Sequence, residues 1–453
     1  MAGVGAENSG LKVPLNDYSS SVINQFPRPH RLRQVESSIA RTQSFDTLPV
    51  NLPLSQKLKD NFLEFRIPGV PGAFLDLGKI VIEFRVTLTE ADGQSPLGET
   101  SNIALVNGFS NTLFKSVQCF LGEQITESNS SFNYWSFIKL CSSVKRSQLP
   151  SIARLGYLLP DFKGGEGITK LFDTAYFART SAKEPQILTK NDKEQGITLC
   201  FPLALDISTL DQYLLDNIDL KIRLELSPQA WTLKTDDDAS TYQLHINYAK
   251  LWLNRVYPYT SAYMALNKSL ALDAKPIIYT FNRTLSKNYV LGHNQTSLLI
   301  DQPWGHVIPA KIFMVILPMT AYAGKHKENG LYFEHGDLAS LSVCINNNTV
   351  YRISSDFPHH YSKLYYEAIN SLGIEEENLI LYESFASGRT INIFNLTDSQ
   401  VEDALPIEKS GNLRIELQFS KPAPHNKVVL LFAQTTGVLS IDQNRSVHCD
   451  VRA

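Results

Sequence analysis

The feature that most constrains this chain is one alternating pattern that occurs twice, far apart. In Leu413–Phe419 the apolar Leu413, Ile415, Leu417 and Phe419 alternate with Arg414, Glu416 and Gln418. This is the period-two signature of a strand buried on one face. Leu220–Leu226 repeats it, with Leu220, Ile222, Leu224 and Leu226 on one side and Lys221, Arg223 and Glu225 on the other. The offset is 413 − 220 = 193 residues, and each copy follows a similar lead-in, residues 201–206 and residues 393–398.

Other landmarks repeat in the same order, which argues for a repeated domain. Lys79 to Ile82 is matched by Lys311 to Met314, an offset of 311 − 79 = 232. An apolar run at 117–121, a polar turn and a helix-like stretch at 132–140 are matched by 341–345, the polar 346–349 and 361–371. Cys119 and Cys344 there lie 344 − 119 = 225 apart. Between Cys119 and Leu220 the offset falls from 225 to 193, so the first copy carries 225 − 193 = 32 extra residues. These are placed in the polar stretch 145–195. At about 100–200 residues per domain, a chain of 453 residues accommodates two such β-rich units and a tail.

The strand content follows from composition: 10% aromatic residues, with 22 Pro and 24 Gly spread along the chain, suit short strands joined by turns. A net charge of −3 argues against a protein whose main work is electrostatic binding of nucleic acid or acidic membrane. Cys119, Cys141, Cys200, Cys344 and Cys449 are widely spaced and lack ligand spacing, which predicts buried thiols in a reducing compartment. No signal-peptide pattern opens the sequence and no apolar run reaches about 18 residues, so the reading is a soluble protein made in the cytosol, with its Asn-x-Ser/Thr sites unused.

Residues 1–51 show no sustained periodicity and are expected to form a flexible arm. Arg28, Arg31, Arg33 and Arg41 make a loose basic cluster in it, diluted by Glu36 and Asp46. Ordering against a neighbouring subunit is favoured over nucleic-acid contact. The first unit, 52–262 with its inserted loop at 145–195, is read as strands near 61–68, 77–89, 117–121, 197–205, 220–226 and 242–256, with a short helix at 132–144. Trp135 and Phe137 in that helix are assigned to core packing. The second unit, 263–453, offers strands near 276–281, 297–300, 310–317, 338–345, 390–395, 413–419 and 428–433, with a helix near 361–371. Eight short strands and one helix per unit suit a jelly roll, although a sandwich of other topology gives the same alternation.

Chemistry is thin. His359 and His360 are adjacent and point to opposite faces of an extended chain, Gly164 and Gly165 precede no helix, and neither a GxSxG elbow nor an HExxH occurs. Asp236 to Asp238 lacks the ligand spacing of a calcium loop. No catalytic residue, cofactor or metal site is proposed, and an enzyme is disfavoured.

The joint order of landmarks resembles a known family. Phe62 to Gly69, Phe74 to Leu77, Ala91 to Gly93, Leu113 to Val117 and the turn at Leu121 and Gly122 carry it in the first half. Leu317 to Gly324, Asn395 to Asp398, Gly411 to Phe419, Leu430 to Ala433 and Ile441 to Arg445 carry it in the second. These look like the double jelly-roll major capsid proteins of Polinton/Maverick elements and the related adintoviruses, over residues 61–447. One departure is the segment 325–330, where the family often has a Pro-Asn-Pro-Phe-like stretch.

The resemblance implies an all-β chain of two tandem eight-stranded jelly rolls with short helices in loops. It implies a major capsid protein whose homotrimers form pseudo-hexagonal, hexon-like capsomers that tile an icosahedral virion shell. The partners would be the chain itself, neighbouring capsomers, and penton and minor capsid proteins, with little or no nucleic-acid contact and no membrane span. Synthesis would be in the host cytosol and assembly in host cytoplasm or nucleus. Tyr257, Tyr259, Tyr263 and Trp304, borne on predicted loops, are the candidate interface anchors, the alternative being that each fills its own domain's core, and the arm arginines would face inward. A two-domain β-sandwich lectin or adhesin is the alternative, and a hydrolase on a jelly-roll scaffold a third reading.

Overall fold

The strands pair in nested order, and that order defines the fold. The structure, a computed structural model, describes residues 40–42, 46–50, 62–90, 93, 95, 103–148, 155–157, 196–235, 242–273, 276–373, 378–396 and 409–450. The first half contains β1 (Ala40–Thr42), β2 (Asp46–Val50), β3 (Phe62–Ile67), β4 (Phe74–Glu90), β5 (Ile103–Leu105), β6 (Phe114–Leu121), β7 (Gln124–Asn129), β8 (Ile197–Pro202), β9 (Leu220–Leu226), β10 (Leu233–Thr235) and β11 (Tyr242–Pro258). Helix α1 (Phe132–Ser143) follows β7, and α2 (Thr260–Asp273) leads out of the unit. The second half contains β12 (Ile277–Leu291), β13 (Ser297–Asp301), β14 (Val307–Ile308), β15 (Lys311–Pro318), β16 (Leu338–Ile345), β17 (Asn348–Ser354), β18 (Asn392–Asn395), β19 (Lys409–Ser410), β20 (Leu413–Phe419), β21 (Lys427–Ile441) and β22 (Val447–Asp450). Helix α3 (Ser362–Leu372) lies between β17 and β18.

In the second half β12 pairs with β21, β13 with β20, β15 with β18 and β16 with β17, all antiparallel. The first half repeats this as β1 and β2 with β11, β3 with β9, β4 with β8 and β6 with β7. First with last, second with seventh, third with sixth and fourth with fifth is the jelly-roll order. Two sheets result in each half: β1/β2-β11-β4-β8 against β3-β9-β6-β7, and β12-β21-β15-β18 against β13-β20-β16-β17. The topology that alternation alone left open is therefore a double jelly roll.

The pleat sorts the side chains. Along β4, Ile80, Ile82, Phe84, Val86 and Leu88 are buried while Val81, Glu83, Arg85 and Thr87 are half-buried. Phe84 meets Phe109 and Phe114 across the sandwich at ring-centroid distances of 6.2 and 6.1 Å. Each such side chain contributes about 1.5–3 kcal/mol by leaving water. In β15 residues 312–317, and in β21 residues 427–433, every side chain is buried, because both faces of this part of the sheet are covered. That explains the unbroken apolar run in the sequence.

Two elements extend the sequence reading. β1 and β2 lie in the segment expected to be an arm, and they take the place that the fifteen-residue β12 takes in the second roll. Their sequence carries no alternation to announce them; β11 offers the edge on which they form. The arginines Arg28, Arg31 and Arg33 lie outside the described residues, whereas Arg41 sits in β1, its backbone opposite Tyr257. Most of the inserted loop 145–195, and the acidic stretches at 236–238 and 375–377, also lie outside them.

Candidate interface and the seam between the rolls

Helix α1 is where the two rolls meet. Phe132, Tyr134, Trp135, Phe137, Ile138 and Leu140 are all buried, and a short helix that is apolar all round must be covered all round. The first roll covers one side. The second roll covers the other with the outward face of its β15 and β21: Trp135 lies edge-on to Phe313 at 5.2 Å and stacks on Phe432 at 5.5 Å. Phe137 meets Phe333 at 6.1 Å, and the buried Arg389 guanidinium sits 5.1 Å from the Phe137 ring. Tyr134 stacks on Tyr322 and accepts a 3.0 Å hydrogen bond from Trp231 Nε1. Trp231 in turn seats against Gly324 and Gly330. A Cβ at Gly330 would lie 2.5 Å from Trp231 Nε1, and Gly324 has φ +87°, so a close approach requires glycine at both. The small-residue ending of Leu317 to Gly324 that the sequence displays is the socket for this tryptophan.

Polar contacts fix the register of the seam. The Thr284 backbone N–H and hydroxyl of β12 donate to Asp206 at 2.7 and 2.8 Å, and the Asn282 N–H donates to Thr209 Oγ1 at 3.0 Å. Asp206 N–H donates to Glu127 Oε2 at 2.8 Å. Burial pushes the Glu127 carboxyl well above its ordinary value, and the neighbouring Asp206 pushes it further. Burial also raises Asp206, with Lys139 and the Thr284 donors pulling it back. Elsewhere on the seam Lys234 Nζ donates to the Lys325 carbonyl at 3.2 Å, and burial holds this lysine down at about 7.

Asp216 ties four elements together. It accepts from Gly72 N–H at 2.8 Å, from Tyr263 Oη at 2.7 Å and from Arg445 Nη2 at 2.7 Å, and Arg445 also donates to Asn267 Oδ1. The Asp216 and Arg445 side chains are only 2% and 12% exposed, and the pair joins the first roll to the β21–β22 turn of the second.

The candidate interface aromatics separate. Tyr257, Tyr259 and Tyr263 gather where β11 passes into α2. Tyr259 is 44% exposed, Tyr257 is half-buried, and Tyr263 packs against Phe74 while its hydroxyl is held by Asp216. Trp304 lies in the β13–β14 turn and is 5% exposed, so its ring is buried within the chain. A cavity of about 290 Å³ on the second roll is lined by Thr320, Glu328, Asn329, Tyr332, Glu334 and His425, with the Lys427–Glu334 ion pair (2.8 Å) at its wall. Among the described residues no group of three or more His, Cys, Asp or Glu is placed to hold a metal ion. No helix among them is long and apolar enough to cross a membrane.

Sequence reasoning missed Asp206, Asp216 and Arg445. Asp206 did carry a signal, since the lead-in 201–206 that precedes β9 recurs before β20 with an aspartate at its end in both copies. Asp216 and Arg445 are 229 residues apart, and nothing local pairs them.

No protein-family model matches the chain, and no curated protein matches it. Solved structures do. The Sputnik virophage structure determined by cryo-EM superposes with a TM-score of 0.58 at 12% identity, covering 91% of this chain and 89% of that one. The Faustovirus major capsid protein gives 0.55 at 9% identity, covering 89% and 91%, and the PBCV-1 virus capsid gives 0.52 at 11% identity, covering 90% and 97%. At these identities the likeness is one of fold, and that fold is the double jelly roll of viral major capsid proteins.

Proposed function

We propose that this chain is the major structural protein of a viral capsid, of the Polinton/Maverick and adintovirus kind. The observation that carries the reading is the seam. Two like rolls are held side by side by a buried helix, interlocked aromatics and a buried ion pair, which makes the chain a rigid double wedge. Three such chains in a ring present six similar wedges and give a pseudo-hexagonal tile, and such tiles pack into an icosahedral shell. Contacts between a first roll and the second roll of the next chain are heterologous, and they close at three subunits when the rotation completes there. The fold likeness over some nine-tenths of the chain to structures of viral capsids supports the same reading.

The remaining assignments follow from it. The partners are further copies of the chain and, at the vertices and between tiles, penton and minor capsid proteins. The near-neutral charge leaves genome contact weak, and the protein resides in the virion shell. Light scattering and negative-stain electron microscopy test this together. The expected result is a particle of three times 50.8 kDa with a hexagonal outline, or shells built of such particles. A stable monomer at micromolar concentration, or a monomer that binds glycans tightly, overturns it.

A further inference from the structure

We infer that the outer edge of the second roll, strand β17 with the turn at Asn346 and Asn347, receives the β1–β2 edge of the first roll of a second copy of this chain. The inference rests on the assembly reading above and adds the two edges that meet. It comes from comparing one hairpin in its two copies. In the first roll β6 and β7 pair Leu121 with Gln124, Phe120 with Ile125 and Cys119 with Glu127. In the second, β16 and β17 pair Ile345 with Asn348, Cys344 with Thr349 and Val343 with Tyr351. Every pair is displaced by 348 − 124 = 224 residues, and the ladder is interrupted at Thr126 in one copy and at Val350 in the other. The turns match as well. Gly122 N–H donates to the Asp219 carbonyl at 2.7 Å and Asn346 N–H to the Asn412 carbonyl at 2.9 Å, in each case the residue that leads into the neighbouring strand, β9 or β20.

The two hairpins differ in what lies against them. β7 lies against β12 and β22 of the second roll. Glu127 accepts from Asp206, which in turn holds Thr284 of β12, and a Cβ at Gly122 would lie 4.0 Å from Val447 Cγ2 of β22. Thr126 and Glu127 are each 2% exposed. At the same two places β17 has Val350, 55% exposed, and a half-buried Tyr351, and residues 346–350 are all exposed. Among the described residues β17 pairs with β16 alone. An open edge of seven residues with a single charge, Arg352, lacks the guard that such an edge needs in water unless assembly covers it.

The occupant follows from the pairing order. What covers β7 is the first strand of the other roll, β12, and it does so with its free edge. The N–H groups of Asn282 and Thr284 donate to Thr209 and Asp206 of the first roll, on the side away from β21. In the first roll the strands in that place are β1 and β2, beside β11. Within a chain the first roll's β7 takes the second roll's β12, which leaves one β17 and one β1–β2 edge per chain. Joining these from copy to copy continues the intrachain seam in the same sense around a ring, which is a heterologous contact. The bulge at Val350 breaks the ladder, so the edges meet through side chains and backbone N–H groups. The seam is built the same way, since among the described residues no sheet contains strands of both rolls.

The test uses the full chain. Val350→Lys puts a charge on the β17 edge, and Leu299→Lys puts one on β13, at the opposite edge of the same sheet, where Leu299 is 60% exposed. Circular dichroism and melting temperature establish that both are folded. In multi-angle light scattering Val350→Lys is expected to run as a monomer and Leu299→Lys to assemble as the unmodified chain does. Hydrogen exchange of the unmodified chain, assembled and then diluted, carries the same test without a substitution. Amides of residues 348–354 and 40–50 are expected to exchange about tenfold or more slowly in the assembly, with those of β13 unchanged. If Val350→Lys assembles like the unmodified chain, or residues 348–354 gain no protection, the edge is overturned while the assembly reading stands. If residues 348–354 are protected and 40–50 are not, the occupant is overturned. If the unmodified chain is itself a monomer at micromolar concentration, the assembly reading falls, and this inference with it.

Discussion

At the scale of single residues, the question is which charges hold the seam. Asp216 and Arg445 are almost wholly buried and share their remaining capacity with Gly72, Tyr263 and Asn267. Removing one partner strands the other charge in a poorly solvated site. Asp216→Ala is expected to destabilise the chain by about 3–5 kcal/mol in urea melts. By contrast, Asp301→Ala, which breaks the exposed 3.6 Å pair with Arg414, is expected to cost less than about 1 kcal/mol. Equal effects would show that the pair does not hold the rolls together. Lys234 gives a pH-dependent counterpart. Burial lowers its folded value from 10.5 to about 7, so between these values the unfolded chain binds more protons than the folded one. Its stability contribution is complete above 10.5 and is lost as pH falls toward 7. The unmodified chain is expected to gain stability on going from pH 7 to 10 relative to Lys234→Met. Parallel melting curves for the two across that range would refute the assignment.

At the scale of elements, strands with one buried face were legible in the sequence and strands without one were not. Leu220–Leu226 and Leu413–Phe419 have the bounds that their alternation marks, because one face of each meets the core and the other meets water. The helices α1 and α3 lie where the aromatic and apolar spacing at 132–144 and 361–371 puts them. β1 and β2 escaped notice because pairing with β11, not a pattern of their own, makes them strands. β12 and β21 run longer than their apolar cores suggest, because they pair with each other from Ile277↔Ile441 to Leu291↔Lys427. The same tertiary effect hid the seam. Trp135 was legible as a core residue, but not that the core it enters belongs to both rolls. Trp135→Ala is therefore expected to cost about 3–5 kcal/mol, and Gly330→Ala, which drives a methyl into Trp231, to destabilise as well. If Trp135→Ala melts within a degree of the unmodified chain, the helix does not hold the two rolls together.

At the scale of the whole molecule, the consequence is mechanical. Two domains joined by a short polar contact move independently and unfold separately, and such motion is the default unless the interface is large and apolar. Here the helix that completes the first roll is also a wall of the second, with Trp135, Phe137 and Tyr134 all in contact with rings of the other roll. Unfolding either roll would expose α1 on one side and the outward face of β15 and β21 on the other, so neither roll is stable with its neighbour gone. The chain is thus expected to unfold in one calorimetric transition, with calorimetric and van't Hoff enthalpies agreeing. Trp135→Glu, which puts a charge where Phe313 and Phe432 close over the ring, is expected to split that transition into two while leaving the sheet signal in circular dichroism intact at low temperature. Two transitions in the unmodified chain would mean that the rolls are coupled only loosely. A loosely coupled pair makes a poor tile, because the angle between its wedges would not be fixed and a ring of three would have no reason to close.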